Sequence, residues 1–179
     1  YNEVQALSEK SRLKIPMLVG VDAVHGYGVL QNRTIFPTSI SMAATFNPEL
    51  VNRAARIAAR EIRSAGNQWT FAPTLDIVQD ARFGRTGETY GECPFLTTAM
   101  ARSAIRGYQN HENPQHRVAA CVKHYVGGGA SIGGVNHGNA EISERMLRSV
   151  FLPPFKAAVE EGVLTVMPGH NNINGIPMH

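Results

Sequence analysis

Four short apolar runs constrain this chain more than any other feature: PMLVGVD (16–22), QWTFAPTLDI (68–77), RVAACVKHYV (117–126) and VLTVMPGH (163–170). None alternates cleanly between apolar and polar residues. Parallel strands covered on both faces read this way, because neither face meets water. Between the runs lie segments with helical period and boundary signals. In the first, Asn47 is the N-cap, Pro48 fits the first turn and Phe46 can staple onto Val51. Leu50, Ala54, Ile57, Ala58 and Ile62 give it an apolar side, and Gly66 ends it. A second helix opens at Pro94. A third is capped by Ser143, has Ile142 and Leu147 as its staple, is expected to break at Pro153–Pro154, and closes at Gly162. Strands alternating with helices in this order predict an α/β fold with parallel strands and right-handed crossovers.

A complete (β/α)8 barrel takes ~250 residues, and this chain has 179. It starts at Tyr1 and stops in a turn-like NGIPMH. Either the sheet is open or the barrel is truncated; the abrupt ends favour a truncated TIM-type barrel, with about half of the barrel present, as one domain over 1–179. Composition adds exclusions. The net charge of +3, from 17 bases and 14 acids, is too weak to argue for nucleic acid. Arg53, Arg56, Arg60 and Arg63 share one helix stripe and read as a solvated face. No apolar run approaches the ~20 residues of a membrane span. Cys93 and Cys121 form no CxxC, and Cys121 reads as a packed thiol. The seven histidines include no HExxH and no zinc spacing, so no metal is expected, and the glycine clusters at 26–28 and 127–134 spell neither G-x-G-x-x-G nor a P-loop, so no nucleotide cofactor is expected.

Two long polar loops, 78–93 and 127–141, follow the carboxyl ends of strands, where α/β folds bind ligands. GASIG (129–133) matches a nucleophile-elbow pattern with Ser131 as the serine. The strand ends near Val126, however, and no helix can start before about Ser143, so the elbow lacks its required context. The strand ends say more. The first stops at Asp22, the second runs into Asp76 and QDARFGRTGETYGE, the third stops at Lys123–His124 and the fourth at His170–Asn171. A carboxylate, a guanidinium, an ammonium and an imidazole on one rim suit a ligand dense in hydroxyls, such as a sugar. Successive strand side chains point to opposite faces. For Lys123 and His124 to reach one ligand, the backbone there must be irregular, through a bulge or a non-proline cis peptide.

The segments GVDAVHG, TIFPTSISMAATFNPEL, FAPTLDIVQDARFGRTGETYGECP, VKHYVGGG, AEISERMLRSVFLPPFKAAVEEG and VMPGHNNINGIP occur in this order over essentially the whole chain. Together they resemble glycoside hydrolase family 3, the β-glucosidase-like enzymes. The resemblance implies a (β/α)8-type barrel and retaining hydrolysis of terminal non-reducing β-D-glucosyl residues, with a β-glucoside or oligosaccharide as substrate and no cofactor. It implies that Asp22 accepts hydrogen bonds from sugar hydroxyls, that Arg85, Lys123 and His124 donate to them, and that His170 stands where many members have a tyrosine. The family's nucleophile is an aspartate in an S-D-[WHFY]-type segment, expected beyond His179, and its acid/base lies further on. No catalytic residue is therefore assigned within this chain, and Glu88 is read as structuring its loop.

Departures from the family pattern are Ala81, Phe83, Cys93 and Asn172, none of them at the main sugar contacts. Other readings stay open: a β-xylosidase, an α-arabinofuranosidase, or a non-catalytic sugar-binding module. YVGGG after the Lys-His pair counts against the N-acetylglucosaminidase branch. A periplasmic or secreted location and a homo-oligomeric parent are compatible with the resemblance. Half a barrel has open strand edges, so the isolated chain is expected to be unstable or oligomeric.

Overall fold

The computed structural model describes residues 1–179. In chain order the elements are α1 (Asn2–Ser8), β1 (Gly20–Val21), α2 (Ser39–Ala43), α3 (Pro48–Ser64), β2 (Trp69–Thr70), α4 (Pro94–Gln109), β3 (Ala119–Tyr125), β4 (Asn139–Ala140), α5 (Glu144–Met146), α6 (Leu152–Glu160), β5 (Thr165–Pro168), β6 (Asn172–Ile173) and β7 (Ile176–Pro177). No helix is long and apolar enough to cross a membrane.

β1, β2, β3 and β5 form one parallel sheet in that order. Each strand lies beside the one that follows it in this sheet along the chain and is reached through helices, which is the arrangement of about half of a (β/α)8 barrel. Leu75, Ile77, Val118 and Val122 from the sheet side pack with Ile62, Met100, Ile105 and Phe151 from the helices in one core. A second small sheet was not foreseen. β4 pairs in parallel with β6, and β6 antiparallel with β7, tying the loop after β3 to the segment after β5.

Regular pairing is shorter than the apolar runs. Only Gly20–Val21 of 16–22 and Trp69–Thr70 of 68–77 lie in strands. The regular ladder ends at Thr70, and Pro73 beyond it has no N–H to donate. Bonding to β3 continues nonetheless: Ala72 O and Pro73 O accept from the amides of Cys121 and Lys123, at 2.9 and 3.2 Å.

The helix boundaries follow the chain's own signals. Asn47 Oδ1 accepts the Glu49 amide at 3.1 Å, and Gly66 adopts φ +90° just past α3. Ser143 Oγ accepts the Met146 amide at 3.3 Å. Three details differ from expectation. The buried face of α3 is Val51, Ala55, Ala58, Ala59 and Ile62, whereas Leu50 and Ile57 are exposed. Here α4 comes close: a Cβ on Gly107 would lie 2.5 Å from Asn52 O and 2.6 Å from Ala55 Cβ. Close approach selects the face with small residues over the one with the larger side chains. Second, Phe46 takes φ +51° and stays 76% exposed, turned outward rather than buried as a staple. Third, Pro153–Pro154 does not break the last helix. A wide π-helical turn at Leu147–Phe151 precedes them, and both prolines fall in the first turn of α6, where a missing N–H is tolerated.

Along the arginine stripe, Arg53 and Arg60 are exposed, Arg56 meets the exposed Glu112, and Arg63 Nε donates to Gln115 O. This is a solvated face. Cys121 is buried, and that burial pushes its thiol pKa up.

Candidate functional site

The carboxyl ends of the four parallel strands bring the polar groups together. Asp22 directly follows β1. Lys123, near the end of β3, donates from Nζ to Asp22 Oδ1 at 2.7 Å. The lysine side chain is 3% exposed and that of Asp22 is 67% exposed. The cation is thus buried, with its counter-charge at the surface of a cleft.

The backbone of β3 is irregular where expected. The Lys123–His124 peptide is cis, as is Tyr125–Val126, and the pairing with β5 shifts register between Val122 and Tyr125. Lys123 reaches Asp22 at the end of the first strand, while His124 Nδ1 lies 2.7 Å from Asp76 Oδ2 at the end of the second.

The loop after β2 contributes Arg85. A single 3-10 turn, Thr86–Glu88, returns Glu88 to it, and the two meet fork to fork: Nε to Oε1 and Nη2 to Oε2, both at 2.8 Å. The hydrogen bonds to Glu88 raise the guanidinium pKa. Burial by itself would raise the carboxyl of Glu88. The Arg85 hydrogen bonds and the nearby charges of Arg85, Lys123 and His124 outweigh it and hold that carboxyl below its usual range. Nη1 of Arg85 makes no hydrogen bond within the protein.

Asp22, His25, Arg85 and Glu88, with Val24, Val29 and Ile35, line a cleft of about 460 Å3. Small-molecule sites span ~300–1,000 Å3. Arg85 also borders an adjoining recess, shared with Asp76, His124, His137, His170 and Asn171. His170 is exposed at its rim, its ring centred 5.3 Å from His137 and 5.1 Å from His179. Burial, together with the charges of His170, Arg85 and His124, pushes the His137 pKa down.

The sequence profile of the glycosyl hydrolase family 3 N-terminal domain matches residues 1–179. The chain belongs to this family. It is 42% identical over 177 residues to a β-xylosidase of Formosa agariphila, covering 94% of this chain and 24% of that protein. It is 38% identical over 186 residues to the lysosomal beta glucosidase of Dictyostelium discoideum, covering 99% of this chain and 23% of that protein. The solved β-glucosidase of Listeria innocua superposes with a TM-score of 0.91 at 35% identity, covering 98% of this chain and 24% of that one. That protein has been crystallised with glucose and, as a mutant, with laminaribiose. The family 3 chain therefore spans about a quarter of the length of these relatives.

Within the family 3 chain, Asp22 and Arg85 share the cleft, and Arg85, His124 and His170 share the recess. Lys123 joins them through Asp22. Three neighbours had no assigned part in the site. Asp76 was visible only as one more polar strand end. Glu88 read as a loop residue, yet it holds Arg85 and lines the cleft. His137 sits in a loop with no motif, and nothing in its sequence context marks it. Ser131 is a loop tie: it is buried, and its Oγ donates to Gly128 O at 2.8 Å.

Proposed function

We propose that the family 3 chain is the sugar-binding half of an enzyme that hydrolyses terminal non-reducing β-D-glucosyl residues with retention. The observation that carries this reading is the convergence of Asp22, Arg85, His124 and His170 from four separate strand ends on a cleft and a recess that share Arg85, with Lys123 bound to Asp22 behind them. Asp22, anchored through one oxygen by Lys123 and largely open to solvent, accepts from sugar hydroxyls. Arg85, locked by Glu88, donates from its free Nη1. Lys123 donates to a neighbouring hydroxyl, His124 presents a ring nitrogen to another, and His170 closes the rim beside the ring. Bonds from charged groups to hydroxyls are stronger than neutral ones, and two fixed ion pairs pre-organise them.

Retaining hydrolysis needs a nucleophilic and an acid/base carboxyl group about 5–5.5 Å apart. In this reading both lie beyond His179, and the 179-residue chain alone is inactive. The glucose and laminaribiose complexes of the Listeria protein support a glucoside as substrate. The 42% identity to a β-xylosidase favours a second reading in which a pentose takes the same place. A panel of nitrophenyl glycosides, assayed with the full-length protein, separates the two by kcat/KM. The binding roles are tested by titrating glucose into that protein and its Asp22→Ala and Lys123→Ala variants. Each is expected to bind about 5- to 150-fold more weakly; unchanged affinity in both would sink the assignment.

A further inference from the structure

Asp76 has no part in the roles above, yet its side chain is only 1% exposed and lines the recess. One oxygen, Oδ2, engages His124 twice, accepting its main-chain N–H at 3.3 Å and lying 2.7 Å from ring Nδ1. The other oxygen, Oδ1, has no hydrogen-bond partner. The glycine run after β3 is wrapped against this strand end. A Cβ on Gly128 would stand 3.1 Å from Asp76 Oδ1, and one on Gly129 would stand 2.4 Å from Ile77 O. The contact is therefore built by both strands and by the loop that covers them. Nε2 of His124 makes no hydrogen bond within the protein, and the ring lines the recess beside Arg85 and His137.

We propose that Asp76 is a positioning residue that makes Nδ1 the hydrogen-bearing nitrogen of His124 and so presents Nε2 to the ligand. Oδ2 already acts as the acceptor for the main-chain N–H of His124, so Nδ1 is the donor to the same oxygen. The backbone bond to the same oxygen fixes the ring's origin as well as its rotation. In the neutral ring, Nε2 is then an acceptor for a ligand hydroxyl, and in the charged ring it is a donor. The ligand's identity rests on the sugar-site reading above; the state of the ring does not.

The test uses the full-length protein. With 15N-labelled histidine, on the alkaline side of the ring's titration, His124 is expected to show a protonated-type Nδ1 and a bare Nε2. A wild-type ring protonated on Nε2 overturns the proposal. Asp76→Ala removes the acceptor, so Nδ1 is expected to lose its hold on the ring hydrogen, part of it moving to Nε2, and glucose affinity to fall roughly 10-fold. In a His124→Ala background, Asp76→Ala is expected to change glucose affinity no further, because the aspartate acts through the ring. An equal loss in both backgrounds would mean a general structural role and would overturn the proposal. If His124→Ala leaves glucose affinity unchanged while Asp76→Ala still moves the ring hydrogen, the sugar reading fails and the positioning role stands.

Discussion

Lys123 Nζ and Asp22 Oδ1 stand 2.7 Å apart across 101 residues of sequence, the lysine buried and the aspartate at the cleft surface. This asymmetry sets what each substitution does. Asp22→Asn leaves a buried ammonium without its counter-charge, and is expected to destabilise the protein by about 3 kcal/mol. Lys123→Met keeps the volume and leaves only a solvated carboxylate, with an expected loss under ~1.5 kcal/mol. Urea unfolding of the two variants tests the order; a reversed ranking contradicts it.

Arg85 is held in a fork by Glu88, with Nη1 left over. A lysine cannot reproduce two parallel bonds and a third donor. Arg85→Lys is expected to lower kcat/KM on a nitrophenyl glucoside roughly 10- to 100-fold while the melting temperature changes little. Wild-type kinetics in this variant would remove Arg85 from the site.

Glu88 carries a folded-state pKa below its ordinary value. Between the two values the unfolded chain holds a proton that the folded one lacks, so stability falls as the pH falls through that window. The contribution is complete above the ordinary carboxyl range and is lost as the pH drops through the folded pKa. Glu88→Gln is expected to lower stability at neutral pH and to flatten this part of the acid limb. Parallel acid limbs in wild type and variant, followed by unfolding midpoints, would exclude it.

The glycine run after β3 is required by space. Gly129→Ala would place a Cβ 2.4 Å from Ile77 O, and overpacking of this kind typically costs about 1–3 kcal/mol. At Gly84 nothing lies within 4 Å of the added atom, so Gly84→Ala is expected to stay within about 0.5 kcal/mol of wild type. Equal stability of the two alanine variants would mean that the loop is not wrapped against the second strand.

Leu13, Ile15, Leu18, Val29, Ile35, Leu164 and Val166 are exposed, and the outer edges of β1 and β5 are unpaired. Exposed apolar surface and open strand edges favour association. The 179-residue polypeptide by itself is expected to elute as oligomers on size exclusion with light scattering. A monodisperse monomer with a cooperative thermal transition contradicts this.

Local rules made much of the chain legible. Asn47, Pro48, Gly66, Ser143 and Gly162 mark helix ends by chemistry that acts within a few residues, and they do so in the structure. The Lys123–His124 pair announced an irregular strand because side-chain alternation allows no other way to share a site. The face of α3 and the fate of Pro153–Pro154 were not legible. The first depends on how closely Gly107 lets α4 approach, and the second on a π-helical turn that no residue pattern spells.

The sequence alone determined a run of parallel strands with intervening helices and the delivery of Asp22, Arg85, Lys123, His124 and His170 to the strand ends, because burial period and chain direction are local properties. Tertiary structure decided the pairings: Lys123 with Asp22, His124 with Asp76 and Arg85 with Glu88. A charge selects its partner by distance and by the solvent it loses, and both exist only once the strands lie side by side.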